Sequence, residues 1–121
     1  MTVKDEPLTV YESGANRSDR TGKGRFDLIP PTALLRLAQH YENGARVHGE
    51  HNWTRGFPIS RCLDSAERHL CQYKDGDRSE DHLAAIAWQA FAAMHFEEMI
   101  RRGVLPAALD DVPRYQPEDA R

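Results

Sequence analysis

Side chains able to do chemistry concentrate in one stretch of this sequence: Asp64, Glu67, Arg68, His69, Asp75, Asp77, Glu80, Asp81 and His82. Asp64 and Glu67 are three positions apart and share a helical face, while Asp77 and Asp81 stand at a junction leading into the next antiparallel helix. Carboxylates projecting from facing helices can surround Mg²⁺ or Mn²⁺, hard ions that take oxygen ligands and bridge protein to phosphate. His69 lies beside an apolar stripe and His82 falls in a first helical turn. Either imidazole could act as a general acid or base, because its charge changes near neutral pH, or could serve only as a core or capping group. Arg68 could hold a phosphate through its forked donors or simply pair with Asp64 four residues earlier. For any single acid a solvated charged face is the plainer reading; the cluster as a whole points to metal.

Three helices must position these groups. After Pro30 and Pro31, which suit a helix entry, Leu34, Leu37, Ala38, Tyr41 and Ala45 recur at helical spacing until Gly49. Ser60 is the expected cap of a second helix with an apolar stripe of Leu63, Ala66, Leu70 and Tyr73, stopped by Asp75 and Gly76. Ser79 is the expected cap of a third, which runs to about Gly103 with Leu83, Ile86, Ala87, Ala90, Phe91 and Met94 inside. Residues 51–58 connect the first two helices with more aromatic surface than a solvent loop requires. Strand signals are almost absent, so the fold class is all-α: a helical bundle of three main helices with an irregular N-terminal arm. The expected divisions are an arm over residues 1–29, a helical core over 30–103 and a proline-containing tail over 104–121. Three amphipathic helices in so short a chain make a thin core, and a dimer or tetramer is expected to complete the bundle.

The 121 residues, 40% of them hydrophobic, with mean hydropathy −0.70, fit one domain and hold no apolar run near the roughly 20 residues a bilayer span needs. The opening residues, MTVKDEPLTVYESG, lack the basic end and apolar centre of a secretory signal, so a cytoplasmic location is expected. Sixteen Lys and Arg against nineteen Asp and Glu leave a net charge of −3, a poor match for duplex nucleic acid. Cys62 and Cys71 would stand about 13 Å apart on one helix, beyond disulfide reach, and are read as reduced thiols.

Several sharper motifs fail on spacing. The stretch from Gly14 to Lys23 has Gly24 where a P-loop needs Ser or Thr, and no strand precedes it. His48 and His51 lack the i, i+4 spacing of a zinc-protease helix, and no Gly-x-Ser-x-Gly turn marks a serine nucleophile. The arm does offer Arg17, Arg20, Lys23 and Arg25 among glycines, a cationic segment that could close over a triphosphate, although ordinary solvation would suit it as well. Trp53 or Phe26 could stack on a base, and both could equally be core residues.

The order of the blocks Gly14-Ala-Asn-Arg17, Gly22-Lys23-Gly-Arg25-Phe26-Asp27-Leu28-Ile29-Pro30-Pro31, Asn52-Trp53, Arg68-His69, Gly76-Asp77 and Glu80-Asp81-His82-Leu83-Ala84-Ala85 is distinctive. From about residue 13 to about residue 99 it resembles the dATP/dGTP diphosphohydrolase family, the MazZ-type proteins found mostly in bacteriophages and related to MazG-like all-α nucleoside triphosphate pyrophosphohydrolases. Two departures accompany the resemblance. The Glu-Glu-x-x-Glu and Glu-x-x-Asp blocks typical of MazG-like enzymes are represented only by Asp64-x-x-Glu67 and Glu80-Asp81. Gln89 and Asp77 stand where relatives more often carry Asn and Glu.

The resemblance implies a self-assembling bundle that uses Mg²⁺ or Mn²⁺ to cleave purine deoxynucleoside triphosphates, dGTP and dATP, into monophosphate and pyrophosphate. In a phage that builds 2-aminoadenine DNA, this would supply dGMP and deplete dATP, in the host cytoplasm. Under that reading Asp64, Glu67, Asp77 and Asp81 are the expected metal ligands and His69 and His82 the expected catalytic groups. Arg17, Lys23, Arg25, Phe26, Asn52, Trp53 and Arg68 are the expected nucleotide and phosphate contacts. The rival reading, motivated by the incomplete acidic blocks, is a non-catalytic nucleotide-binding regulator on the same helices.

Overall fold

The computed structural model describes residues 7–116 and forms two compact units, Met1–Pro30 and Pro31–Arg121. The first contains an antiparallel hairpin, β1 (Leu8–Val10) and β2 (Asn16–Ser18), with Leu8 opposite Ser18 and Val10 opposite Asn16. Its turn closes through Gly14 N–H donating to the Tyr11 carbonyl at 2.9 Å, and Gly14 adopts φ +90°, where a side chain would be strained. Three-residue strands carry too little alternation to be read from sequence, so the arm has more structure than expected. A single 3₁₀ turn over Phe26–Leu28 follows. Residues 1–6 of the expected arm and 117–121 of the expected tail lie outside the described residues.

The second unit is all-α, with helices α1 (Pro31–His48), α2 (Ile59–Lys74) and α3 (His82–Arg101). Pro31 begins α1, where a missing amide hydrogen costs nothing, and Gly49 and Gly76 follow α1 and α2 in left-handed backbone conformations that end them. The helix α3 packs against both others. Ala92 and Phe96 of α3 meet Ile59 and Cys62 of α2, with Trp53, Phe57 and Trp88 packed around that core, and Ala84 and Ala85 nearer the start of α3 are buried as well.

Two expected caps are replaced. Pro58, not Ser60, precedes α2, and the Ser60 N–H donates to Asp111 Oδ1 at 2.9 Å, so the cap comes from a residue 51 positions later. Asp81, not Ser79, caps α3, accepting from Ala84 N–H at 3.1 Å. Both substitutions still place an oxygen acceptor at an unsatisfied helix N-terminus; only the donor of that oxygen differs. The expected α2 stripe is also rotated by one position. Cys62 and His69 are buried while Leu63 and Leu70 are exposed, and on α3 Leu83, Phe91 and Met94 are exposed as well.

The segment after α3 packs onto the helices as far as Val112. Leu105 and Val112 join the core, and Leu105 and Leu109 lie over Gly56 so closely that an added Cβ would fall 2.8 Å from Leu109 Cδ1. Cys62 and Cys71 are free thiols, the first buried and the second exposed. No helix among the described residues is long and apolar enough to cross a membrane.

Candidate active site

The turn from α2 into α3 is the most connected polar region of the helical unit. His69 on the inner face of α2 and His82 at the start of α3 are the only buried polar side chains among the described residues, and their Nδ1 atoms lie 2.9 Å apart. His82 Nε2 lies 2.5 Å from Asp77 Oδ2. Because an ionised carboxylate only accepts, Nε2 of His82 carries a hydrogen, and in the tautomer with that single ring hydrogen Nδ1 is the acceptor towards His69. Asp77 is itself fixed by Ser79, whose Oγ donates at 3.0 Å and whose backbone N–H donates at 3.3 Å. The hydrogen bond from His82, followed by those from Ser79, holds the Asp77 carboxyl below its ordinary pKa.

Glu80 completes the group, its Oε1 3.5 Å from His69 Nδ1. One ligand atom each from His69, Glu80 and His82 falls within 4.8 Å of the other two, so these residues could hold one metal ion. Burial lowers the pKa of His69 and keeps the imidazole neutral, the form that binds metal. Asp77 behind His82 supplies the carboxylate that commonly fixes the tautomer of a metal-binding histidine. The Gln72 Oε1 atom, one turn beyond His69 on the same side of α2, is buried without a partner.

Asp81 faces a different group. Arg36 of α1 grips it through two hydrogen bonds of 2.8 and 2.6 Å, and this pairing draws the Asp81 carboxyl down to a pKa of about 2. His40, one turn along α1, lies within electrostatic range of Asp81 and Glu80 and is pushed towards neutrality by burial. Its ring sits 6.1 Å from that of Trp88 on α3.

The sequence-predicted residues therefore divide. His69, His82 and Asp77 come together, with Asp81 adjacent in the chain but engaged by Arg36. Asp64 and Glu67 are on the exposed side of α2, away from the His69 face, and Arg68 is exposed beside His69. Asn52 and Trp53 occupy a 3₁₀ turn, Asn52–Arg55, at the wall of a cavity between α1 and α3. In the N-terminal unit, Arg17 and Lys23 line a concavity with Tyr11, Arg25 is paired with Asp27 through two bonds of 2.8 Å, and Phe26 is exposed. Glu80 was read as part of the charged cluster without a role. Arg36 and His40 were missed, because their i, i+4 spacing on α1 signals one face but says nothing of the α3 terminus opposite them.

Comparison with known proteins identifies the family. The family described as dATP/dGTP diphosphohydrolase, N-terminal, matches residues 13–103, about three quarters of the chain. That span contains both histidines, Asp77, Glu80, Asp81 and the Asn52–Trp53 turn. No curated protein and no solved structure matches the sequence. On the strength of the family match, this chain belongs to the dATP/dGTP diphosphohydrolases, a family of hydrolases named for nucleotide substrates.

Proposed function

We propose that the protein hydrolyses dGTP and dATP between the α and β phosphorus atoms, giving the monophosphate and pyrophosphate, with a divalent ion at the His69, Glu80 and His82 group. The observation that carries this reading is the buried imidazole pair backed by Asp77, with Glu80 beside it. A divalent ion held by His69, Glu80 and His82 would supply Lewis-acid chemistry, lowering the pKa of a water and polarising a phosphoryl oxygen. Asp77 keeps the His82 proton on Nε2 and so leaves Nδ1 bare. Glu80, more exposed than the histidines, brings the one negative ligand, and Asp81 is held aside as the cap of α3 and partner of Arg36.

In the reaction the water oxygen bonds to the α phosphorus and gives up a proton to solvent, the bond from that phosphorus to the bridging oxygen breaks with its electron pair going to that oxygen, and pyrophosphate leaves. The charge that builds on pyrophosphate calls for nearby cations, and Arg68 is suited to that role. Arg17 and Lys23 are proposed as further phosphate contacts. The assignment moves the metal from the expected carboxylate set of Asp64, Glu67, Asp77 and Asp81, because the first two lie away from the His69 face of α2 and the last two are engaged by other side chains. Two imidazoles suit Mn²⁺ better than Mg²⁺, which prefers oxygen and retains its water. Self-association through the exposed apolar residues of α2 and α3 belongs to the same proposal, as does a supply role in phage 2-aminoadenine DNA synthesis.

Incubation with dGTP and either ion, followed by chromatography of the nucleotides, tests the reaction. The expected result is dGMP with equimolar pyrophosphate, faster with Mn²⁺ than with Mg²⁺. Formation of dGDP and phosphate, or no turnover with either ion, overturns the proposal.

A further inference from the structure

A cavity lined by α1, the connection that follows it and Trp88 of α3 has a volume of about 590 Å³, within the range of small-molecule sites. Its walls are flat and aromatic: Tyr41 of α1, Trp53 and Phe57 of the connection, and Trp88 of α3. These rings brace one another, with Phe57 stacked on Trp88 at an interplanar angle of 12° and Tyr41 edge-on to Trp53 at a centroid separation of 6.0 Å. The connection is held in an unusual shape. His51 takes a left-handed conformation, φ +59°, and its carbonyl accepts from both Thr54 N–H, at 3.0 Å, and Thr54 Oγ1, at 2.6 Å. A non-glycine residue in that region is uncommon and tends to mark sites where a side chain is aimed at a ligand; here the turn it opens carries Asn52 and Trp53.

Gly44 gives an independent sign. Glycine is among the poorest residues for a helix interior, and one is kept there when a neighbour packs closely against it. Gly44 lies about one turn before the end of α1, and a Cβ added to it would meet nothing within 4 Å. What its smallness keeps open is the cavity that it lines. The same helix continues to the active site through His40 and Arg36, and α3 rises about 9 Å from His82 to Trp88. A deoxyribose and its first phosphate cover a comparable distance.

We infer that this aromatic cavity is the base site for a purine nucleotide whose phosphates reach the His69, Glu80 and His82 group. The inference rests on the proposed hydrolysis for its substrate class, but its test does not. Trp53 and Trp88, the two tryptophans of the chain, both line the cavity, so intrinsic fluorescence reports on it directly. The full chain is titrated in EDTA, where no metal is present and no turnover occurs, with dGMP, dAMP, dCMP and inorganic tripolyphosphate.

The expected outcome is saturable quenching by both purine monophosphates, at least tenfold weaker binding of dCMP and no saturable response to tripolyphosphate. A Gly44→Leu variant, which puts a bulky helix-forming side chain at the cavity wall, is expected to melt no lower than the parent protein and to lose at least tenfold in dGMP affinity. Equal binding of dCMP and dGMP, or unchanged dGMP affinity in folded Gly44→Leu, overturns the inference. Purine binding without hydrolysis in the product assay would leave the base site standing and remove the proposed reaction; hydrolysis with an unchanged KM in Gly44→Leu would do the reverse.

Discussion

The chemistry at the residue scale depends on which nitrogen of His82 keeps its hydrogen. Asp77 decides this, because its carboxylate lies 2.5 Å from Nε2 and can only accept. Asp77→Asn puts an amide there, which can turn its own N–H towards the ring and favour the other tautomer. Isothermal titration with Mn²⁺ is expected to show affinity reduced by about 10- to 100-fold in that variant, the range found when a partner behind a metal-binding histidine is lost. Its metal-free melting temperature should stay near that of the parent protein. A drop in melting temperature with unchanged Mn²⁺ affinity would reduce Asp77 to a turn-forming residue. The acidic and imidazole types in this stretch, and their clustering, were legible from sequence. Their division of labour was not, since the sequence gives no measure of which carboxylates Arg36, Ser79 and a helix terminus already occupy.

At the scale of elements, two glycines with opposite surroundings allow a paired test. Gly44 has open space around a missing Cβ, so Gly44→Ala is expected to stabilise the protein in urea unfolding by about 0.5 to 1 kcal/mol, the difference in helix propensity. Gly56 has φ +84° and a missing Cβ directed at Leu109 and Leu105, so Gly56→Ala is expected to destabilise by about 1 to 3 kcal/mol through backbone strain and overpacking. The cap of α2 gives a pH-dependent test. The Asp111 pKa is lowered by its hydrogen bonds to the Ser60 hydroxyl and N–H. A carboxyl depressed in the folded state stabilises it above the unfolded pKa, about 3.9, and loses that contribution as pH falls through the folded value. The parent protein should therefore melt higher than Asp111→Asn at pH 7, with the gap closing as the pH is lowered from 5 towards 3. A gap independent of pH would show that the carboxylate charge is not what caps the helix. All three helices were readable from apolar spacing and stop signals. Their caps were not, because Asp111 reaches Ser60 across 51 residues and no local pattern records that.

For the whole molecule, the unfinished feature is the apolar surface left on α2 and α3. Leu63, Leu70, Leu83, Phe91 and Met94 are each between 42 and 56% exposed, and α3 carries apolar residues around most of its circumference. A helix of that composition is ordinarily covered on all sides. Light scattering during size-exclusion chromatography is expected to give a dimer or tetramer, and Phe91→Glu with Met94→Glu to give a smaller species that remains helical by circular dichroism. A monomeric parent protein would refute assembly through this face. The sequence by itself determined the helical class, the three helix spans and a family resemblance carried by ordered blocks, because periodicity, helix terminators and motif order are all properties of neighbouring residues. It also showed the ionisable residues gathered around the α2 to α3 turn. Only the tertiary structure decided that α2 turns His69 inward and Leu63 outward, that Arg36 and His40 face the start of α3, and that four aromatic rings enclose a cavity with Gly44 at its wall. Those outcomes depend on helix rotation and on contacts between residues far apart in the chain, where a shift of one position, about 100° on a helix, exchanges a buried ligand for an exposed leucine.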